Sequence, residues 1–369
     1  MMYMLDTVRM IVPYNRICVT NPKRFGVVDL TAFEGYTEKS LNNNPTDEDI
    51  RDYGYMPRMT LVSSQHSIKN SHKNLYVECS LPKILFGNSI EELDDNDFDE
   101  VVSFLGAKMG IMGVDALAED IKNAYVQRVD CSKNFVIDTN PLIVINCLSK
   151  IKHDSRLKLR RVYYLDGGDS ITWNAEKYHL IVYDKLEEVK NGFQFEAGLL
   201  NSEYRSGEDI YNYLRSQNKY ILRYEVSLQR KKLEEFCEKA NLKDVFKTEF
   251  SKNVLSHYIP DMNRQLKTFN LDTDDVMIML DAIKSAHPGK MENSVMLLLG
   301  HMIAVNKYGY AFIRSRQGKK CSSFMSVLKS QIDAVANRMN SLDSVLYADL
   351  RQMELDFEEF APLRFNNLS

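Results

Sequence analysis

Three extended runs each carry a carboxylate inside a strand-like alternation, and no other feature restricts the fold as much. In Tyr76-Val77-Glu78-Cys79-Ser80-Leu81, period two puts Glu78 and Ser80 on one face and Val77, Cys79 and Leu81 on the other. In Val126–Ser132, Arg128, Asp130 and Ser132 share a face. In Leu222–Leu228, Arg223, Glu225 and Ser227 stand opposite four apolar residues. Acids are depleted inside strands. Three on one sheet face repel each other unless a cation lies among them. Mg²⁺ or Mn²⁺ suits such hard oxygen ligands, which makes Glu78, Asp130 and Glu225 candidate metal ligands. The plain alternative is that each acid faces water or pairs with the arginine beside it.

A fourth run, Tyr178–Lys185, places His179, Ile181, Tyr183 and Lys185 on one face if it is extended throughout. A phenol titrates near 10, so a tyrosine needs a nearby cation or metal before it is a good nucleophile at neutral pH. Tyr183, with Lys185 two residues on, has that neighbour. Twenty tyrosines compete for the role, and most strand tyrosines only pack. Tyr178 is the next candidate.

Strand-like and helix-like pieces alternate over roughly the first 235 residues, with helical spacing over Asp99–Ala118 and Pro141–Ile151. Asp166-Gly167-Gly168-Asp169 predicts a hairpin turn. Beyond about Lys231 the pattern becomes helical, over Lys232–Lys243, Asp274–Ala286, Asn293–Lys307 and Ser322–Met339. Gly309 and Ser315–Lys320 interrupt this region. The expected organisation is α+β: residues 1–235 form a sheet-based domain and residues 236–369 a mainly helical one.

Charge is segregated. The formal net charge is only -4, which argues against a polycationic nucleic-acid coat. Yet Glu91–Glu100 holds seven acids, Lys150–Arg161 six basic residues, and Lys307–Lys329 six basic residues with no acid. No run approaches the ~18 apolar residues of a membrane span. The N-terminus lacks a secretory pattern, and the six cysteines form no CxxC pair. A cytosolic chain with reduced thiols is expected.

Four blocks, in the same order, carry a resemblance to a known family. They are Tyr76–Gly87 (YVECSLPKILFG), Gln127–Phe135 (QRVDCSKNF), Ser170–Lys185 (SITWNAEKYHLIVYDK) and Leu222–Lys231 (LRYEVSLQRK), with His301–Leu328 and Leu350–Asn367 further on. Together they resemble the gene II replication initiators of filamentous phages, within the rolling-circle replication proteins. Thr172-Trp173-Asn174, followed nine residues after the Asn by Tyr183 and then Lys185, is the most specific element. The resemblance implies an antiparallel-sheet nuclease domain that nicks one strand of double-stranded origin DNA. The 5′ phosphate is kept as a phosphotyrosine, and the 3′-OH primes a host polymerase in the bacterial cytoplasm. By position the nucleophile falls on Tyr183, with Lys185 its companion. Glu78, Asp130 and Glu225 match acids of the strand blocks.

Many rolling-circle initiators carry a His-hydrophobic-His metal motif, and none of the seven histidines here has that spacing. Carboxylates, with His179 or Ser80, would have to substitute. No GxxxxGK[ST] loop occurs. Tyrosine transesterification conserves the phosphodiester bond energy, so joining needs no ATP, but unwinding would need a host helicase. Rival readings are a relaxase or single-strand transposase of the same chemistry, and a non-catalytic origin-binding protein. For contacts to the duplex and the displaced strand, the candidates are Arg128 and Arg223 on the strands, Lys158, Arg160 and Arg161 in the first basic run, and Arg314, Arg316, Lys319 and Lys320 in the second. A helix, a glycine turn and a second helix around Gly309 also suit a helix-turn-helix reader.

Overall fold

Alternating residues of the acid-bearing runs do pair into one sheet. The computed structural model describes residues 5–30, 38–67, 70–149, 158–163, 169–190, 206–259, 276–316 and 322–365. The strands are β1 (Leu5–Pro13), β2 (Ile17–Val19), β3 (Glu38–Asn43), β4 (Arg58–Ser67), β5 (Asn70–Ser80), β6 (Val114–Ala116), β7 (Tyr125–Ile137), β8 (Lys158–Tyr163), β9 (Asp169–Asn174), β10 (Tyr178–Asp184) and β11 (Tyr220–Gln229). Among the described residues, nine of them form an antiparallel sheet in the order β3-β4-β5-β1-β7-β11-β10-β9-β8, and β2 pairs with β6. The expected hairpin is present as β8 against β9, although its turn lies outside the described residues.

The apolar face of the central strands is the core. Val8, Met10, Val77, Val129, Tyr224, Val226, Val182 and Trp173 are fully buried. Each such aliphatic side chain contributes roughly 1.5–3 kcal/mol relative to exposure.

The first ten α-helices among the described residues, 4 to 14 residues long, lie between or after the strands in chain order. They are α1 (Asp47–Tyr53), α2 (Leu81–Phe86), α3 (Phe98–Ile111), α4 (Ala118–Lys122), α5 (Pro141–Ser149), α6 (Lys185–Lys190), α7 (Gly207–Ser216), α8 (Arg230–Leu233), α9 (Leu242–Val245) and α10 (Thr248–Tyr258). A capping box starts α1: Asp49 N–H donates to the Thr46 hydroxyl at 3.2 Å, and the Asp49 carboxylate accepts from Thr46 N–H at 2.7 Å. Pro82 opens α2, and Gly87, at φ 74°, closes it in the left-handed conformation that glycine adopts without strain. Three more helices follow: α11 (Val276–Ala286), α12 (Glu292–Arg316) and α13 (Ser322–Glu359).

The chain divides into two compact units. One comprises 1–136, 152–261 and 356–369, and the other 137–151 and 262–355. The expected division after residue 235 lies inside the first unit. The Lys232–Lys243 helix is not formed as one piece. Its backbone groups go to β7 instead: Val126 N–H donates to Ala240 O at 2.6 Å, and Leu242 N–H to Ala124 O at 2.9 Å. Asn241 then caps α9.

The second unit has its own core. Val295, Leu298, Leu299 and Met302 recur at helical spacing on α12 and pack with Leu328, Ile332 and Val335 of α13. Here α12 runs unbroken through Gly309 to Arg316. An isolated helical glycine costs only about 1 kcal/mol, less than the packing of the residues around it. The turn expected at Gly309 is therefore absent.

The last described residues belong to the first unit. Lys133 Nζ donates to Glu92 Oε2 at 2.9 Å and to Ala361 O at 2.8 Å. Leu363 N–H donates to Glu92 at 2.9 Å, and Phe365 N–H to Glu91 at 3.2 Å. The Arg364 guanidinium lies 4.4 Å from the Phe86 ring centroid and pairs with Asp97 at 2.5 Å. The acidic run at Glu91–Glu100 is thus partly consumed inside the protein.

Candidate active site

Strand order decides which acids meet. Asp130 on β7 and Glu225 on β11 are on neighbouring strands, whereas β1 separates β5, with Glu78, from β7. Arg128 bridges that gap. Its guanidinium holds Asp130 at 2.8 Å and lies 4.0 Å from Glu78. Arg9 approaches Glu78 from β1, also at 4.0 Å. The side chain of Asp130 is 6% exposed. Burial raises its carboxyl above the ordinary range, and Arg128 opposes the rise.

The second Arg-x-acid pair behaves differently. Arg223 is buried, 1% exposed, and does not bond to Glu225. It reaches across β7 to β1, with Nη1 2.9 Å from Asp6 Oδ2, Nε 2.7 Å from Asn134 Oδ1 and Nη2 2.6 Å from Ser89 O. Asp6 also accepts from the Ser80 hydroxyl at 2.8 Å. Burial would raise the Asp6 carboxyl, but Arg223, Lys185 and Ser80 outweigh it and hold it below its ordinary value.

Glu225 is left to Tyr183. The Tyr183 hydroxyl donates to Glu225 Oε2 at 3.2 Å. On the paired strands Tyr183 faces Arg223 and Ile181 faces Glu225, so the two bonding groups are diagonal neighbours on one face. Burial, then Asp130 and Asp6, push Glu225 up to about 8. Burial, and after it Glu225, hold the Tyr183 phenol well above its ordinary value, with Arg223 opposing. The resting tyrosine is therefore protonated, and Glu225 keeps its own proton until the pH approaches about 8, where it becomes a base stronger than an ordinary carboxylate.

Lys185 stands close by for a different reason than strand alternation. β10 ends at Asp184, whose carboxylate accepts from Leu186 N–H at 3.0 Å and Glu187 N–H at 3.3 Å, and so starts α6. The turn tucks Lys185 in, with Nζ 5.8 Å from the Tyr183 ring centroid and 2.5 Å from Glu188. Burial and the nearby Arg223 pull its ammonium down to about 8, against Glu188 and Asp6. His179, two strand positions beyond Ile181, is half-buried. Burial lowers it, while Asp130 acts in the opposite sense.

This geometry lies inside a matched family. Residues 4–259 match the family described as the N-terminal part of the phage gene II replication-associated protein. The chain belongs to it. This is the family of the filamentous-phage gene II replication initiators, and its match ends within two residues of Asp261, where the first unit's continuous run stops. A replication initiator implies DNA as its partner and a nuclease in general terms. No curated protein matches the chain. Among solved structures, the di-domain ARO/CYC StfQ from the steffimycin biosynthetic pathway aligns at 12% identity over 62% of this chain and 73% of that one, with a TM-score of 0.19. That likeness carries no argument. Among the described residues of this family member, no helix is long and apolar enough to cross a membrane.

The other expected DNA contacts are dispersed. Lys158, Arg160 and Arg161 are on β8, the edge strand beside β9. The rest of the 150–157 stretch lies outside the described residues. Arg314 and Arg316 are in the last turns of α12 rather than in a loop, and Lys319 and Lys320 lie outside the described residues. Arg223 could meet a phosphate only by giving up Asp6, Asn134 and Ser89, so it braces the site from within. Asp6 is the residue the sequence pattern missed.

Hard oxygen donors of the Glu78, Asp130 and Glu225 set suit Mg²⁺ or Mn²⁺ chemically. Glu225, raised by burial and then by Asp130 and Asp6, and without an ion-pair partner among the described residues, is where a divalent ion would relieve repulsion. Among the described residues, no three His, Cys, Asp or Glu side chains are yet drawn together around one point.

Proposed function

We propose that this initiator nicks and rejoins one DNA strand through Tyr183. The hydrogen bond from the Tyr183 hydroxyl to Glu225, beside Arg223 and Lys185, carries the reading. In the nicking step Tyr183 Oη bonds to phosphorus and the bond to the 3′ oxygen breaks. The phenolic proton passes to Glu225 in its ionised form, which is well populated from about pH 8 upward, and the leaving 3′ oxygen takes a proton from water. Lys185 and Arg223 offset the charge of the forming phenolate, and partial exclusion of water strengthens that effect. Rejoining reverses the step: a free 3′-OH attacks the phosphotyrosine and releases the tyrosine.

Asp130 and Glu225, with Glu78 across β1, would hold Mg²⁺ or Mn²⁺, which would polarise a phosphate oxygen when bound. The substrate would be double-stranded origin DNA and later the displaced strand. A host helicase would unwind the duplex, and a host polymerase would extend the 3′-OH in the bacterial cytoplasm. Arg128 and the basic positions of β8 and α12 would contact backbone phosphates.

The test is incubation of the full chain with Mn²⁺ and supercoiled DNA carrying the intergenic region beside its own gene. Relaxed circles and an SDS-resistant adduct on the peptide of Tyr183 are expected. An adduct on Tyr178 instead would move the nucleophile. DNA that is shifted but uncut would favour an origin-binding protein without the chemistry.

A further inference from the structure

We infer that a cleft at the β5–β1 side of the same sheet face is a subsite for one nucleotide of the DNA strand, within a few positions of the nick. The inference rests on the strand-nicking reading above. The cleft has a volume of about 460 Å³ and is lined by Thr7, Ser80, Glu78 and Arg128 from the sheet, and by Tyr55, Met56, Arg58 and Lys83 around its mouth, with Pro45 and Ile50. Pockets for small ligands run from roughly 300 to 1,000 Å³ and pair apolar walls with a few placed polar groups. Pro45, Ile50 and Met56 form such a wall.

The wall is held in place from behind. Ser80 N–H donates to the Tyr55 hydroxyl at 2.8 Å. The buried Lys108 ammonium fixes the adjoining turn by donating to Tyr53 O at 2.9 Å and Tyr55 O at 2.8 Å. The capping box of α1 sets Ile50. This is a preformed concavity on regular elements.

Its charge suits a phosphodiester. Arg58 is exposed and Lys83 half-buried. Lys83 lies 5.8 Å from the Tyr55 ring centroid. Among the described residues neither has a carboxylate within ion-pair distance, whereas the cations at the Tyr183 end are committed to acids. One cleft thus offers an apolar surface for a base and two cations without a direct ion pair for the flanking phosphates, with Glu78 on its floor and Lys83 also acting from a distance on Asp6 and Glu188. It is joined to the reacting end by Ser80, Asp6 and Arg223 in turn. The cleft runs from β5 to Arg128 on β7, two to four strand spacings of ~4.8 Å from β10, roughly 10–19 Å, so its nucleotide lies beside the scissile one or a few positions from it.

The experiment uses the full chain and a single-stranded oligonucleotide spanning the site that the wild type nicks, with one abasic residue introduced at a time. Binding is read by fluorescence anisotropy and nicking on gels. One abasic position within a few nucleotides of the nick should weaken wild-type binding roughly 10-fold, the scale of losing one stacked base. Ile50→Trp, which fills the cleft, should lose the same factor on intact DNA and become insensitive to that abasic position. Arg58→Ala, on the surface, and Lys83→Ala, half-buried and checked for unchanged unfolding in urea, should each reduce the salt slope of binding by about one per lost phosphate contact. Wild-type nicking with no sensitive abasic position, or variants that bind and couple as the wild type does, would overturn the subsite and leave the nicking function standing. Failure of the wild type to nick any strand would remove the function and the subsite together.

Discussion

The two ends of one sheet face use charge in opposite ways. At the β11–β10 end, Arg223, Glu225, Tyr183 and Lys185, joined by Asp6 from β1, are packed into a largely buried network with Glu188 at its exposed rim, and most cations there are already paired. At the β5–β1 end, Arg58 and Lys83 border an open cleft. A closed network can shift proton affinities because water does not screen it. An open one can exchange water for a ligand. Reaction and grip are thus separated along the sheet, with Arg128 between them, bonded to Asp130 and lining the cleft.

The sharpest break in this comparison is Tyr183→Phe. It should lower nicking by roughly 10⁴-fold or more, the scale of losing a nucleophile, and leave DNA binding near wild type by gel shift. Next is Arg223→Ala, which strands Asp6 without its guanidinium. A loss of about 3–5 kcal/mol is expected in urea unfolding, and Asp6→Asn in the same chain should recover part of it. An Arg223→Ala chain with wild-type stability would mean that the closed network is no brace. Glu225→Gln keeps the shape but not the basicity. Nicking should fall roughly 10²–10⁴-fold in single-turnover assays, and a change in the Mn²⁺ titration would place Glu225 among the ligands as well.

The smallest effect concerns the wall of the open end. Burial pulls the Lys108 ammonium down from 10.5 to about 8. The folded chain therefore releases this proton at lower pH than the unfolded chain does. Between about pH 8 and 10.5 the unfolded state binds more protons, so this residue makes stability rise with pH across that window. Lys108→Met should flatten the Tm–pH curve there by roughly a few degrees.

Much of this arrangement was legible in the residues. Alternation located the central strands, and the repeated acid on one face located the site. It failed where the backbone departs from period two. Counting back from Met10 along β1 puts Asp6 on the apolar face. Leu5 pairs with Cys131 and Val8 with Val129, so two residues of β1 stand opposite Asp130 alone. That bulge turns Asp6 to the acidic side, and nothing local in the sequence announces it. The two Arg-x-acid pairs look identical as strings, yet Arg128 bonds its own acid and Arg223 crosses to another strand, because burial leaves Asp6 and Asn134 as its partners. Lys185 was placed beside Tyr183 by strand alternation, whereas a helix start brings it there. The helical region was read correctly in kind but not in its breaks, since core packing carries α12 past Gly309.

The strap formed by residues 361–365 bears on how the protein is made. Lys133, Glu92 and the Phe365 pocket are all in the first unit, but their partners are translated after the whole of the second. A ribosome adding roughly 5–20 residues per second leaves the buried Lys133–Glu92 pair of the nascent first unit without its hydrogen bonds to Ala361 and Leu363 for several seconds. The unit that carries Tyr183 therefore completes itself only when its distant C-terminal segment has emerged. Full assembly of the candidate nicking machinery is a late event in synthesis, timed by chain connectivity rather than by any regulator.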